Sequence, residues 1–250
     1  MIPQIPEYLL SFELIVRALV TIIALSLIWL GAAHMRASAK SRYATAGVLS
    51  AALIGWLTVA QYLGAANTYF ANTETAVPII LFGLLIPLVV AAIAFWRSES
   101  IARLVSAIPL HWLVAAQVYR VAGGIFLVLW ADGRLPWQFA LPAGIGDVAT
   151  GSVAVVVAAL LARNEIGAHR ATYAWCLFGI ADLVVAVTMG AMTSPGRAHL
   201  LAFEAPNLLV TSYPLVMVPT FAVPLALMLH GLVLWRLRRG AASAERLAAA

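Results

Sequence analysis

Seven apolar runs, each close to the roughly 20 residues a helix needs to cross the hydrocarbon of a bilayer, constrain this chain more than any other feature. They lie at about 10–33, 43–65, 76–96, 108–131, 145–162, 171–192 and 213–235. Lipid offers no partner to a backbone N–H or C=O, so a spanning segment is a helix or part of a closed barrel. The runs lack the alternation of apolar and polar residues that marks a membrane barrel. The expected fold is therefore all-α, a seven-transmembrane helix bundle forming one integral membrane domain over residues 1–250. Composition agrees: 64% of the residues are hydrophobic and 10% are charged, against about 25% charged in soluble domains.

The placement of basic residues orients the bundle. Arg36, Lys40, Arg42, Arg97, Arg103, Arg163, Arg170, Arg236, Arg238, Arg239 and Arg246 fall in connections on one side or in the tail. The opposite connections hold only Arg134 and Arg197, and the spans hold Arg17 and Arg120. By the positive-inside rule the N-terminus is expected outside and the C-terminus in the cytoplasm. The net charge of +5 is thus topological, and no nucleic-acid partner is expected. The first run is preceded by Glu7 and no Lys or Arg, so a cleaved signal peptide is not expected. Cys176, the single cysteine, lies within an apolar run and reads as a small buried side chain.

Charges inside the spans single out candidate site residues, because a charge at the bilayer centre costs about 2.5–3.5 kcal/mol even on the insertion scale. Arg120 lies about 16 Å below the outer end of its span and Asp182 about 15 Å below the outer end of the sixth, at 1.5 Å per residue. Their matching depth and opposite charge make them the expected pair, ahead of Asp147, which the run boundaries place only a few ångströms in. Glu13 and Arg17 are spaced to pair on the first helix, and Gln117 shares a face with Arg120. Glu13, Arg17, Gln117, Arg120, Asp147 and Asp182 all fall at mid-depth or toward the outer side. This asymmetry points to an outward-facing polar pocket or, equally, to a structural ion-pair network.

The stretch 133–146 is apolar yet holds Pro136, Pro142, Gly133, Gly144 and Gly146, a composition that fits a re-entrant or interfacial segment. Gly144 and Gly146 would then open the fifth helix, with Asp147 capping it. Short surface helices are expected within 98–109 and 193–212. Pro78, Pro87, Pro214, Pro219 and Pro224 are expected to kink the third and seventh spans. Ile86-Pro87-Leu88 leading to Phe95-Trp96-Arg97 echoes Val223-Pro224-Leu225 leading to Leu234-Trp235-Arg236, a pattern that a parallel repeat or ordinary interfacial anchoring would each produce.

Gly144-x-Gly146 follows no strand and is no dinucleotide fingerprint, and phosphate-loop, zinc-protease and nucleophile-elbow motifs are missing from the sequence. No span carries a lysine for a Schiff base. No cofactor and no metal site are expected. His34, His111, His169 and His230 lie toward the inner side and leave a haem-binding redox protein as a further alternative.

Gln117-Val-Tyr-Arg120, Gly123-Gly124-Ile-Phe, Gly133-Arg-Leu-Pro136, Phe139-Ala-Leu-Pro142-Ala-Gly144 and Gly146-Asp147 together resemble a family of uncharacterised bacterial multi-pass membrane proteins. The resemblance implies a bacterial inner-membrane protein and transfers no substrate, cofactor or catalytic residue. The functional expectation is a transporter or permease-like protein with an outward pocket for a small solute, anionic ones included. The alternative is a non-transporting sensor, assembly factor or partner subunit. The expected partners are the lipid bilayer and a small solute, and small residues along several spans leave homo-oligomers open.

Overall fold

A computed structural model describes residues 3–70 and 79–248, with side chains described up to residue 240. Seven helical segments among these residues are long and apolar enough to span a membrane. The first is α1 (Glu7–His34) and the second α2 (Ala39–Ala65), joined by a turn in which Ser38 caps α2 through a bond from the Ser41 amide. The third is α3 (Ile80–Arg97), followed by α4 (Glu99–Ala107), a short helix capped by Ser98. The expected start of the third span at 76 and Pro78 lie outside the described residues.

The fourth span, Leu110–Ala131, is composite. It opens as α5 (Leu110–Ala115), tightens to a 3-10 helix over Ala116–Gly124, and returns to α-helix in α6 (Ile125–Ala131). The fifth span is α7 (Trp137–Ala162) and the sixth α8 (Ala168–Thr193). The seventh begins with a π-helical turn, Val218–Ala222, and continues as α9 (Val223–Ala248).

Two faces follow from the connections. The first face carries the start of α1 and the α6–α7 turn, tied together by Tyr8 donating to Asp132 at 2.8 Å and Arg134 donating to the Gln4 carbonyl at 3.0 Å. The second face carries the α1–α2 turn and α4. There Arg236 of α9 donates to the carbonyls of Val105 and Ile108 at 3.0 and 2.6 Å. α4 is the expected surface helix. It buries Leu104 and Val105 against the bundle and leaves Glu99 and Arg103 exposed.

The structure departs from the sequence expectation in two places. Residues 137–146, expected as part of a re-entrant or interfacial segment, form the first turns of α7, continuous with the rest of the fifth span. Pro136 occupies the cap position, where a missing N–H costs nothing, and Pro142 lies inside the helix, where it has no N–H to offer the carbonyl four residues back. Gly144 and Gly146 are therefore interior, not the helix start. Within 193–212 there is no surface helix. The segment folds back where Ser194 Oγ donates to the Asn207 carbonyl at 2.9 Å and the Asn207 amide donates to the Thr193 carbonyl at 2.8 Å, and it ends in a single 3-10 turn, Leu209–Thr211.

The prolines of the seventh span have a visible consequence. Pro224 has no N–H to offer the Thr220 carbonyl, and the indole of Trp56 on α2 supplies one at 3.1 Å. Phe95 and Trp235, from the echoed proline–Trp–Arg segments, meet edge to face with centroids 4.9 Å apart.

Candidate functional site

The 3-10 stretch in span four determines what the site can be. Side chains three apart eclipse in such a helix, so Gln117, Arg120 and Gly123 form one row. A 3-10 helix is also narrower than an α-helix, and α7 packs tightly against it. A Cβ on Gly151 would stand 2.6 Å from the Val121 amide nitrogen. Runs of 3-10 geometry beyond three or four residues are uncommon and often mark a functional position.

The longer α7 places Asp147 ten residues below Trp137, about 15 Å along the helix at 1.5 Å per residue, level with Arg120 and Asp182. Arg120 thus pairs with both carboxylates, not with one. Its Nε donates to Asp147 Oδ1 at 2.7 Å and its Nη2 lies 2.6 Å from the same oxygen. Nη2 also donates to Asp182 Oδ2, and Nη1 donates to the Gly179 carbonyl at 3.2 Å. His230 Nε2 lies 3.4 Å from Nη1. A guanidinium has donors and no acceptor, so Nε2 is the accepting nitrogen and Nδ1 carries the proton. That Nδ1 faces Cys176 Sγ at 3.2 Å. One cation is therefore enclosed by two carboxylates, a carbonyl and a neutral imidazole contributed by α7, α8 and α9.

Glycines make this enclosure possible. A Cβ on Gly123 would overlap the Asp147 carboxylate, one on Gly146 would overlap that of Asp182, and one on Gly179 would stand 2.5 Å from His230 Nε2. Each polar group of the cluster sits where a neighbouring helix has no side chain.

The three charged side chains differ in access. Arg120 keeps 2% of its side-chain surface exposed and Asp182 6%, whereas Asp147 keeps 15%. Asp147 lines two cavities. One, of about 100 Å³, lies among α3, α7, α8 and the seventh span and is walled mainly by apolar side chains, including Phe126, Phe139, Leu183, Val187 and Val218. The other, of about 70 Å³, lies between α1 and the 3-10 stretch and is also lined by Glu13, Arg17 and Arg120.

The other candidates divide. Glu13 and Arg17 pair with each other at 3.4 Å and reach the Arg120–Asp147 pair across the smaller cavity. Gln117 does not join the site: it is fully buried and donates to the Ala226 carbonyl at 3.0 Å. Tyr119, one residue before Arg120, donates to the Ala222 carbonyl at 3.2 Å. His230, Cys176 and the three glycines were not identified as site residues from sequence. His230 is turned to Arg120 and Cys176, not to a second histidine.

No curated protein and no solved structure matches the chain. A family profile matches residues 76–238, a stretch that contains Arg120, Asp147, Cys176, Asp182 and His230 and leaves out α1 with Glu13 and Arg17. The chain belongs to the family described as a domain of unknown function, DUF8737.

Proposed function

We propose that the chain is a permease-like membrane transporter whose site, centred on Asp147, takes a small organic cation with an apolar body. One observation carries this reading. Every nitrogen of Arg120 is engaged within the cluster and its surface is closed, while the accessible group is the carboxylate of Asp147. A solute in the larger cavity meets a carboxylate and the aromatic rings of Tyr69, Phe70, Phe126 and Phe139, the last two with centroids 5.2 Å apart. Carboxylates and aromatic faces both attract ammonium groups. The proposal therefore replaces the anionic solute expected from Arg120 alone with a cationic one. Two carboxylates against one guanidinium also leave the cluster an excess of negative charge for a cation to balance.

The first face is assigned to the outside, on the strength of the basic residues gathered at the second. The resemblance carried by residues 117–147 supports a bacterial inner membrane. A second reading, a non-transporting component, draws on the same guanidinium, which ties four spans together as a structural clamp would.

The test is thermal unfolding of purified protein with benzyltrimethylammonium. Stabilisation of the wild type that is lost in Asp147→Asn supports the proposal. Equal melting with and without the cation at millimolar concentration rejects it. Labelling of a single cysteine introduced at Lys40 in intact cells checks orientation, with protection from impermeant reagents as the expected result.

A further inference from the structure

Glu13 and Arg17 are 6% and 8% exposed, yet their ion pair leaves two atoms unserved: Glu13 Oε2 and Arg17 Nη1 have no hydrogen-bond partner among the described residues. Buried polar atoms are rarely left so without a reason. Both side chains line the smaller cavity, and Arg120 and Asp147 line it too. Tyr119, also on its wall, has its hydroxyl committed to the Ala222 carbonyl. Asp182 and His230 lie beyond the Arg120 guanidinium and are not on this wall.

A cavity of about 70 Å³ exceeds the roughly 10–15 Å³ that one water needs, and a buried water also needs at least two polar partners. Glu13 Oε2 offers an acceptor, Arg17 Nη1 a donor, and Asp147 a second carboxylate. Depth orders them: Glu13 is six residues into α1, about 9 Å, and Asp147 ten residues into α7, about 15 Å. Glu13 is thus nearer the first face. The rest of the lining (Val16, Val20, Phe221 and their neighbours) is apolar and offers no competing proton carrier.

We infer that Glu13 relays protons through cavity water to Asp147, so that the proton is the coupling ion of the proposed cation transport. The step balances: the Glu13 carboxylic acid gives its proton to a water, that water's own proton passes to the Asp147 carboxylate, and Glu13 is left as a carboxylate that reloads from the first face. Arg17 holds Glu13 in place. A proton on Asp147 and an organic cation are then alternatives, which makes the carrier an exchanger. This assignment rests on the reading of Asp147 as the cation site.

The test is infrared spectroscopy on protein in nanodiscs after a rapid pH jump. The Asp147 carboxyl band is identified by its loss in Asp147→Asn. The relay predicts that this band responds at least tenfold more slowly in Glu13→Gln, that Glu13→Asp restores part of the rate, and that Glu13→Gln/Arg17→Gln, which leaves no unpaired buried charge, is as slow as the single variant. An unchanged rate in Glu13→Gln, or no Asp147 band responding in the wild type, overturns it. Benzyltrimethylammonium binding to the same samples is read separately. A circular dichroism spectrum and melting transition like those of the wild type show that Glu13→Gln is folded. Failure of the wild type to bind defeats the transport reading and leaves the proton relay to stand or fall on the infrared rates.

Discussion

Replacing Gly146 with alanine should destabilise this protein, although a glycine inside a helix normally costs about 0.5–1 kcal/mol relative to alanine. The reason is the carboxylate of Asp182, which occupies the space that the new Cβ requires. The displaced atom ends a short side chain, so relief by rotation would be cheap if Asp182 were free. It is not free, because it accepts from Arg120 Nη2 in a buried pair. Losing one hydrogen bond to a charged group costs about 1.5–3 kcal/mol, and ejecting one partner of a buried ion pair about 3–5 kcal/mol. After subtracting the helix-propensity gain, the net loss is about 1–4 kcal/mol. Gly55 on α2 is the control: a Cβ there meets nothing within 4 Å, so Gly55→Ala should be neutral or slightly stabilising. Reversible unfolding from mixed micelles, followed by circular dichroism, measures both. A Gly146→Ala protein as stable as Gly55→Ala would refute the claim that the Asp182 position is held by Arg120.

Three further outcomes follow from the same geometry. Arg120→Gln strands two buried carboxylates and should cost about 3–5 kcal/mol, whereas Arg120→Gln/Asp147→Asn/Asp182→Asn, which removes all three charges, should recover much of that loss in the same assay. Retention of cellular activity by the triple variant would favour the structural clamp over the transport site. Cys176 is fully buried against His230, so its thiol should resist maleimide in the folded protein and react once it is denatured; rapid native labelling would mean the enclosure is wrong. Tyr119→Phe removes the donor to the Ala222 carbonyl and should cost about 1 kcal/mol without changing cation affinity.

Much of the architecture was legible because the bilayer imposes it. The seven runs correspond to seven helices long and apolar enough to span a membrane among the described residues, with most boundaries shifted by a few residues. The fifth span starts eight residues earlier than the apolar run does. Pro136 and Pro142 read as helix breakers, yet Pro136 sits at the cap, where its missing N–H is no loss, and the helix runs on through Pro142 despite the bond it removes. That reading places Asp147 shallower by most of its depth and ranks it behind Asp182 as the partner of Arg120. The contribution of His230 was out of reach for another reason. It lies 110 residues from Arg120, and only the packing of α9 against the 3-10 stretch brings them together. The 3-10 geometry itself has no sequence signal here beyond Gly123 and Gly124. The glycines at 123, 146 and 179 could have been noticed as holes opposite charged side chains, but pairing hole with charge requires the helix register.

The account turns on which charge a solute meets. Calorimetric titration of the wild type and Asp147→Asn with benzyltrimethylammonium and, separately, with benzoate asks this directly. The prediction is that the wild type binds the cation and not the anion, and that Asp147→Asn weakens cation binding at least tenfold. Benzoate binding that Arg120→Gln abolishes, or cation binding indifferent to Asp147→Asn, would contradict it.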